Sequence, residues 1–171
     1  MTEAFVEVLR GARNDLGRTE EVVALVLETP SRIDELYQCF FQPDEWVRLR
    51  ASSSFKRVWR ADVELFLPYL DRFIKDVSKI DQPSVRWTFA EMCSDLDGHL
   101  TGMQRRSAKA RVKKYLEVSD DWIVLNRSID ALALWSASDP KLAEWMRPKM
   151  SVLANDERGT VARNAQKWLD G

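Results

Sequence analysis

Asp44-Glu45-Trp46-Val47-Arg48-Leu49-Arg50-Ala51 decides the reading of this chain, because three later stretches repeat its pattern. They are Gln82-Pro83-Ser84-Val85-Arg86-Trp87-Thr88-Phe89-Ala90, Asp121-Trp122-Ile123-Val124-Leu125-Asn126-Arg127-Ser128 and Gly159-Thr160-Val161-Ala162-Arg163-Asn164-Ala165. With the valine of each taken as an anchor, Val47, Val85, Val124 and Val161 follow one another at gaps of 38, 39 and 37 residues. The register holds beyond the anchor. Four residues on stand Ala51, Phe89, Ser128 and Ala165, and eight on stand Phe55, Cys93, Leu132 and Leu169. Eleven on come Val58, Leu96 and Trp135. These offsets fall on one face of a 3.6-residue helix, so each anchor opens an amphipathic helix B.

The residues before the anchors also agree. Cys39, Val77, Leu116 and Leu153 precede them by eight, and Leu36, Ile74, Val112 and Met150 by eleven or twelve. They predict a preceding helix A with its own buried stripe. Turn clusters rich in Asp, Ser, Asn and Pro separate A from B, and such residues cap helix starts or suit the first turn. No segment alternates like a strand bounded by hairpin dipeptides. The chain is expected to be all-α.

Paired helices at this period, with Val-Arg-x-x-Ala opening the second, resemble a HEAT-type repeat. Val47-Arg48-Leu49-Arg50-Ala51 is the nearest copy, Val85-Arg86 keeps the pair, and Leu125 and Ala162 replace the arginine. Armadillo-like repeats are the closest confusion. The resemblance implies a right-handed α-solenoid of about four HEAT-like helix pairs, near 31–61, 62–98, 99–137 and 138–171, in one domain. Residues 1–30 fall outside the period and read as an N-terminal helical cap, with short helices over 3–9 and 19–27 broken at Gly11 and Gly17. In such repeats the turn Asp and the Arg after the anchor form structural ladders. Asp44 with Arg48 and Asp81 with Arg86 fit that role.

In a helical solenoid the B helices line the concave side, where partners dock. Opposite the core stripe, offsets 2, 6, 9 and 13 give Leu49, Trp87, Asn126 and Arg163, then Ser53, Glu91, Asp130 and Lys167, then Lys56 and Arg60. Arg50 lies beside this face. Leu49 and Trp87 form an expected apolar anchor with mixed charge around it, the profile of a protein- or peptide-binding patch. Trp46 and Trp122 are expected to staple helix starts, and Trp135 to sit in the core.

The 171 residues carry 26 basic and 27 acidic side chains, a formal net charge of -1, but the charge is patterned. Residues 1–45 carry net -6, 46–60 net +5, 61–100 net -4 and 101–118 net +5. The run Arg105, Arg106, Lys109, Arg111, Lys113 and Lys114 invites a phosphate-binding reading. HEAT-like DNA-repair glycosylases make a nucleic-acid or base-excision protein the alternative. HEAT-like lyases that attach bilins are a third option, although no residue marks a bilin site.

Other chemistry finds little support. Cys39 and Cys93 form no close pair, His99 is the single histidine, and no phosphate-loop, dinucleotide-binding or nucleophile-elbow motif is present. No catalytic residue, metal or cofactor is assigned. No secretory signal or apolar run near 18 residues is visible, so a cytoplasmic chain with no membrane partner is expected. The sequence therefore points to a non-enzymatic interaction module or scaffold that binds a protein or peptide on its B-helix face.

Overall fold

The computed structural model describes residues 3–11 and 15–171. Met1, Thr2, Ala12, Arg13 and Asn14, all in the expected cap, lie outside the described residues. The described residues are all α, with no strand among them. The helices are α1 (Phe5–Val8), α2 (Thr19–Glu28), α3 (Ile33–Gln38), α4 (Glu45–Ala61), α5 (Val63–Phe66) and α6 (Leu70–Lys75). They continue with α7 (Pro83–Asp95), α8 (Gly102–Val118), α9 (Trp122–Ser136), α10 (Pro140–Leu153) and α11 (Gly159–Leu169). The chain divides into two compact units, Met1–Thr88 and Phe89–Gly171, and the division falls inside α7.

The four anchors are at most 1% exposed, and their partners Ala51, Phe55, Phe89, Cys93, Ser128, Leu132 and Ala165 are fully buried. Capping explains where these helices start. Asp44 accepts from the backbone N–H groups of Trp46 and Val47, and Asp121 does the same for Ile123 and Val124. Thr101 and Gln104 form a reciprocal capping box at the head of α8, and Asp139 caps α10. Each cap satisfies N–H groups that have no partner within the helix.

In the first unit the core is aromatic. Phe73 meets Phe40, Phe55 and Phe66 edge to face at 5.3, 5.0 and 4.8 Å, and Trp59 leans on Phe66 at 5.2 Å. Each such pair adds about 0.5–1.5 kcal/mol beyond its area burial. The expected A helices of this unit are broken. One is the 3-10 turn Pro30–Arg32, then α3, then the turn Cys39–Phe41; the other is α5, the turn Leu67–Tyr69, α6 and the turn Val77–Lys79. Pro30 stands first in its turn and Pro68 second, where the missing N–H is not needed, and Thr29 before Pro30 has left the helical conformation.

In the second unit the helices are longer. The α9 side chains Val124, Leu125, Ile129, Leu132 and Trp135 are buried, as are Ala108, Val112, Tyr115 and Leu116 of α8 and Leu142, Met146 and Met150 of α10. Helix α9 packs against α8, α10 and α11. Hydrogen bonds recur at separations close to the sequence period. Trp135 Nε1 donates to Asp97 Oδ1 at 2.7 Å, and Asn164 Nδ2 donates to Asn126 Oδ1 at 3.2 Å, each across 38 residues. In the first unit Arg72 donates to Asp34 at 2.7 Å, also across 38.

The N-terminal segment is tied down by two arginines. Phe5 donates its backbone N–H to Glu35 at 2.6 Å, and the Arg32 guanidinium stands 3.9 Å over the Phe5 ring. Helix α2 packs on α4. From α4, Arg50 reaches into the loop ahead of α2 and is 1% exposed. Its Nη1 donates to the carbonyls of Leu9 (2.9 Å) and Gly11 (3.1 Å), its Nε to that of Asp15 (3.1 Å), and its Nη2 to the Asp15 carboxylate (3.2 Å). Gly11 and Gly17 adopt φ of +151° and +48°, and a Cβ at either would stand 3.0 Å from an Arg50 nitrogen. Both glycines are required here, for conformation and for room.

Arg50→Met is expected to lower stability by about 2–3 kcal/mol, because the loop carbonyls lose a charged donor. Gly17→Ala is expected to cost about 1–2 kcal/mol from its left-handed backbone. Urea unfolding followed by tryptophan fluorescence measures both, and a wild-type midpoint for Arg50→Met would refute the tie.

Candidate functional site

The sequence-predicted face divides between the two units. In the first unit Leu49, Ser53, Lys56 and Trp87 are half-buried and Arg60 is exposed. Ser53 accepts from Arg57. Arg50 does not belong on a docking face. Its guanidinium is enclosed by the N-terminal loop, so the expectation that it contacts a partner is corrected. A position three residues past the anchor lies on the flank of the helix, and here α2 and its loop cover it.

In the second unit the B-type helices α9 and α11 build a groove of about 330 Å³ lined by Ile129, Asp130, Ala133, Asn164, Lys167 and Trp168. Asn164 organises it. Its Nδ2 donates to the Asn126 carbonyl (3.3 Å), the Asn126 side-chain oxygen (3.2 Å) and Asp130 (3.0 Å). Trp168 Nε1 donates to Ser136 at 3.0 Å, which fixes the indole along the groove. Arg163 and Lys167 are exposed, and Arg163 donates to the Gly159 carbonyl at 3.2 Å. Glu91 is only 7% exposed and lies 3.9 Å from Arg127, so its expected role as an open rim residue is corrected. Sequence reasoning passed over Asn164 and Trp168. Asn164 is three residues past its anchor, and its partners Asn126 and Asp130 stand two and six past theirs, so the repeat register carried no signal for it.

A second cleft in this unit, of about 650 Å³, is lined by Asp97, Arg105, Lys109, Trp135, Asp139 and Lys141, among others. Two ion pairs one helical turn apart on α8 form its floor. Arg105 Nε donates to Asp97 Oδ1 at 2.6 Å and Arg105 Nη2 to the Asp97 carbonyl at 2.8 Å. Lys109 Nζ donates to Asp139 Oδ2 at 2.6 Å. Burial opposes ionisation of Asp97, yet hydrogen bonds from Arg105 and Trp135 and the Arg105 charge together hold its carboxyl below the usual range. Asp139 is lowered by its hydrogen bond from Lys109 and by the Leu142 backbone N–H.

These pairs sort the expected phosphate-binding run. Arg105 and Lys109 are occupied by carboxylates, and Lys113 Nζ sits 4.1 Å from the centroid of the Trp145 ring. Arg106 and Lys114 are exposed, and Arg111 is half-buried. The expected Arg ladders also resolve. Arg86 pairs with Asp81 at 2.8 Å, whereas Arg48 donates to Gln82 and to the Gln42 carbonyl. Trp122 is 49% exposed and is not the staple expected of it.

His99 is exposed in the turn Asp97–His99. Cys39 and Cys93 are free and buried, and burial pushes the Cys39 thiol up to about 12. Among the described residues no group of three or more His, Cys, Asp or Glu side chains could hold a metal ion, and no helix is long and apolar enough to cross a membrane. No known protein-family model, curated protein or solved structure matches the chain.

The Asp97 carboxyl is depressed in the folded state, so its stabilisation is present above the ordinary carboxylate pKa, about 4, and is lost as pH falls through the folded value. Asp97→Asn is expected to cost about 1–2 kcal/mol at pH 7 and progressively less below pH 4, where the wild-type carboxyl also becomes neutral. Urea unfolding at several pH values tests this. A difference independent of pH would rule out the charged pair as its source.

Proposed function

We propose that this chain is a HEAT-like helical-repeat module that docks a partner protein or peptide on its B-helix surface and performs no catalysis. The observation that carries the reading is the coincidence of period and bonding. Residues 38 apart, close to one period, bond to each other, Asn126 with Asn164 and Asp97 with Trp135, as stacked repeats of one supersecondary unit would. A stack of this kind buries one side of every helix and leaves the opposite side in register for a ligand.

On this reading the groove between α9 and α11 receives the partner. Trp168 and Ile129 supply an apolar wall, and Asp130, Arg163 and Lys167 read charge at its rim. Mixed charges at a rim set encounter rate and specificity more than affinity. Leu49 and Trp87 form a separate half-buried patch in the first unit and serve as apolar anchors there. A cytoplasmic setting belongs to the same reading, since both cysteines are free thiols.

The test is capture of the partner from the native cell by the wild-type chain, followed by affinity measurement with variants. Lys167→Glu is expected to weaken binding about tenfold, and Leu49→Ala/Trp87→Ala by about thirtyfold, at unchanged melting temperature. Full affinity retained by both variants would exclude these surfaces.

A further inference from the structure

The second unit sorts its charge by helix. Helices α8 and α10 hold nine of its thirteen basic side chains and two of its twelve acids. Arg105 and Lys109 are spent on internal carboxylates. Arg106, Arg111, Lys114 and Lys141 make no ion pair among the described residues. Lys113 and Lys149 each place their ammonium 4.1 Å from the centroid of the Trp145 ring, which holds both without neutralising either.

Exposed apolar side chains stand among these cations. Met103 is 76% exposed, Val152 73% and Val118 58%, more than any other large apolar side chain among the described residues. At 100° per residue, Met103, Arg106, Ser107, Ala110, Lys114 and Val118 share one sector of α8, about 120° wide. All six are exposed, and Glu117, about 40° from Met103, is the one acid within the sector. Next to Val118, the C-terminal ends of α8 and α10 border a groove of about 440 Å³ in which Leu116, Pro148, Val152 and Leu153 stand with Glu117 and Lys149.

We propose that this face of α8 and α10 docks on the surface of an anionic lipid bilayer. Arg106, Lys114 and Lys149 would meet headgroup phosphates, and Met103, Val118 and Val152 would enter the acyl boundary. Charge alone fits any polyanion, but a phosphodiester backbone leaves the apolar tips in water. Spacing argues against a peptide. Met103 and Val118 lie about 22 Å apart along α8, at its two ends, whereas a peptide anchor uses a central pocket. A planar layer meets both ends at once. Basic residues near acyl-inserting side chains characterise interfacial helices, and this contact lies on the membrane without spanning it.

The full chain is mixed with phosphatidylcholine vesicles with and without phosphatidylserine and sedimented. Binding is expected only with phosphatidylserine, falling steeply as salt rises. Arg106→Glu/Lys114→Glu should reduce it about thirtyfold or more, and Val152→Asp about tenfold. Melting temperatures establish that the variants fold, and a DNA duplex and poly-glutamate are run alongside. The proposal is overturned by absence of binding to anionic vesicles, by equal binding to both vesicle types, or by wild-type binding in either variant. Binding of the duplex or of poly-glutamate in place of vesicles also overturns it.

Discussion

A helix of eleven to seventeen residues is marginal in water, and its apolar stripe must find another helix to cover it. This constraint governs the chain. Each B-type helix carries an anchor valine and a stripe four and eight residues on, and the stripe of α9 is closed by α8, α10 and α11. In the second unit the requirement is met with aliphatic side chains around α9. In the first, shorter broken segments offer less area, and the interlocked rings of Phe40, Phe55, Phe66 and Phe73 make up the difference. Polar residues then fix the register that apolar contacts leave loose. Asp97 joins the end of α7, Arg105 of α8 and Trp135 of α9 at one carboxylate.

The legible part of the fold was the part set by helical period. Val47, Val85, Val124 and Val161 could be read as buried because their neighbours repeat with them. Asp44 and Asp121 could be read as caps because capping is local. What the sequence hid depends on contacts far along the chain. Arg50 lies on the flank of its helix, and only the arrival of the loop at Leu9, Gly11 and Asp15 buries it. Broken A segments were missed because an apolar stripe looks the same on a continuous helix and on a helix interrupted by 3-10 turns. Pro30 and Pro68 were the available warnings.

The basic run over 105–114 shows both outcomes within one helix. Its composition announced a charged surface, and the 3.6-residue period sets Arg105 and Lys109 within about 40° of each other and away from Lys114. The carboxylates that occupy the first set, Asp97 and Asp139, lie eight residues before Arg105 and thirty after Lys109. No local pattern names them. The groove residues behave alike. Asp130 and Lys167 follow from period, while Asn164 acquires its role only by meeting Asn126 and Asp130.

Arg50 also imposes an order in time. Synthesis proceeds from the N-terminus, so the carbonyls of Leu9, Gly11 and Asp15 leave the ribosome before the guanidinium that binds them. Until α4 has formed, that loop has only water as a partner, and its two glycines give it little preference for the bound shape. The loop that Arg50 binds therefore takes its final shape only once α4 is in place.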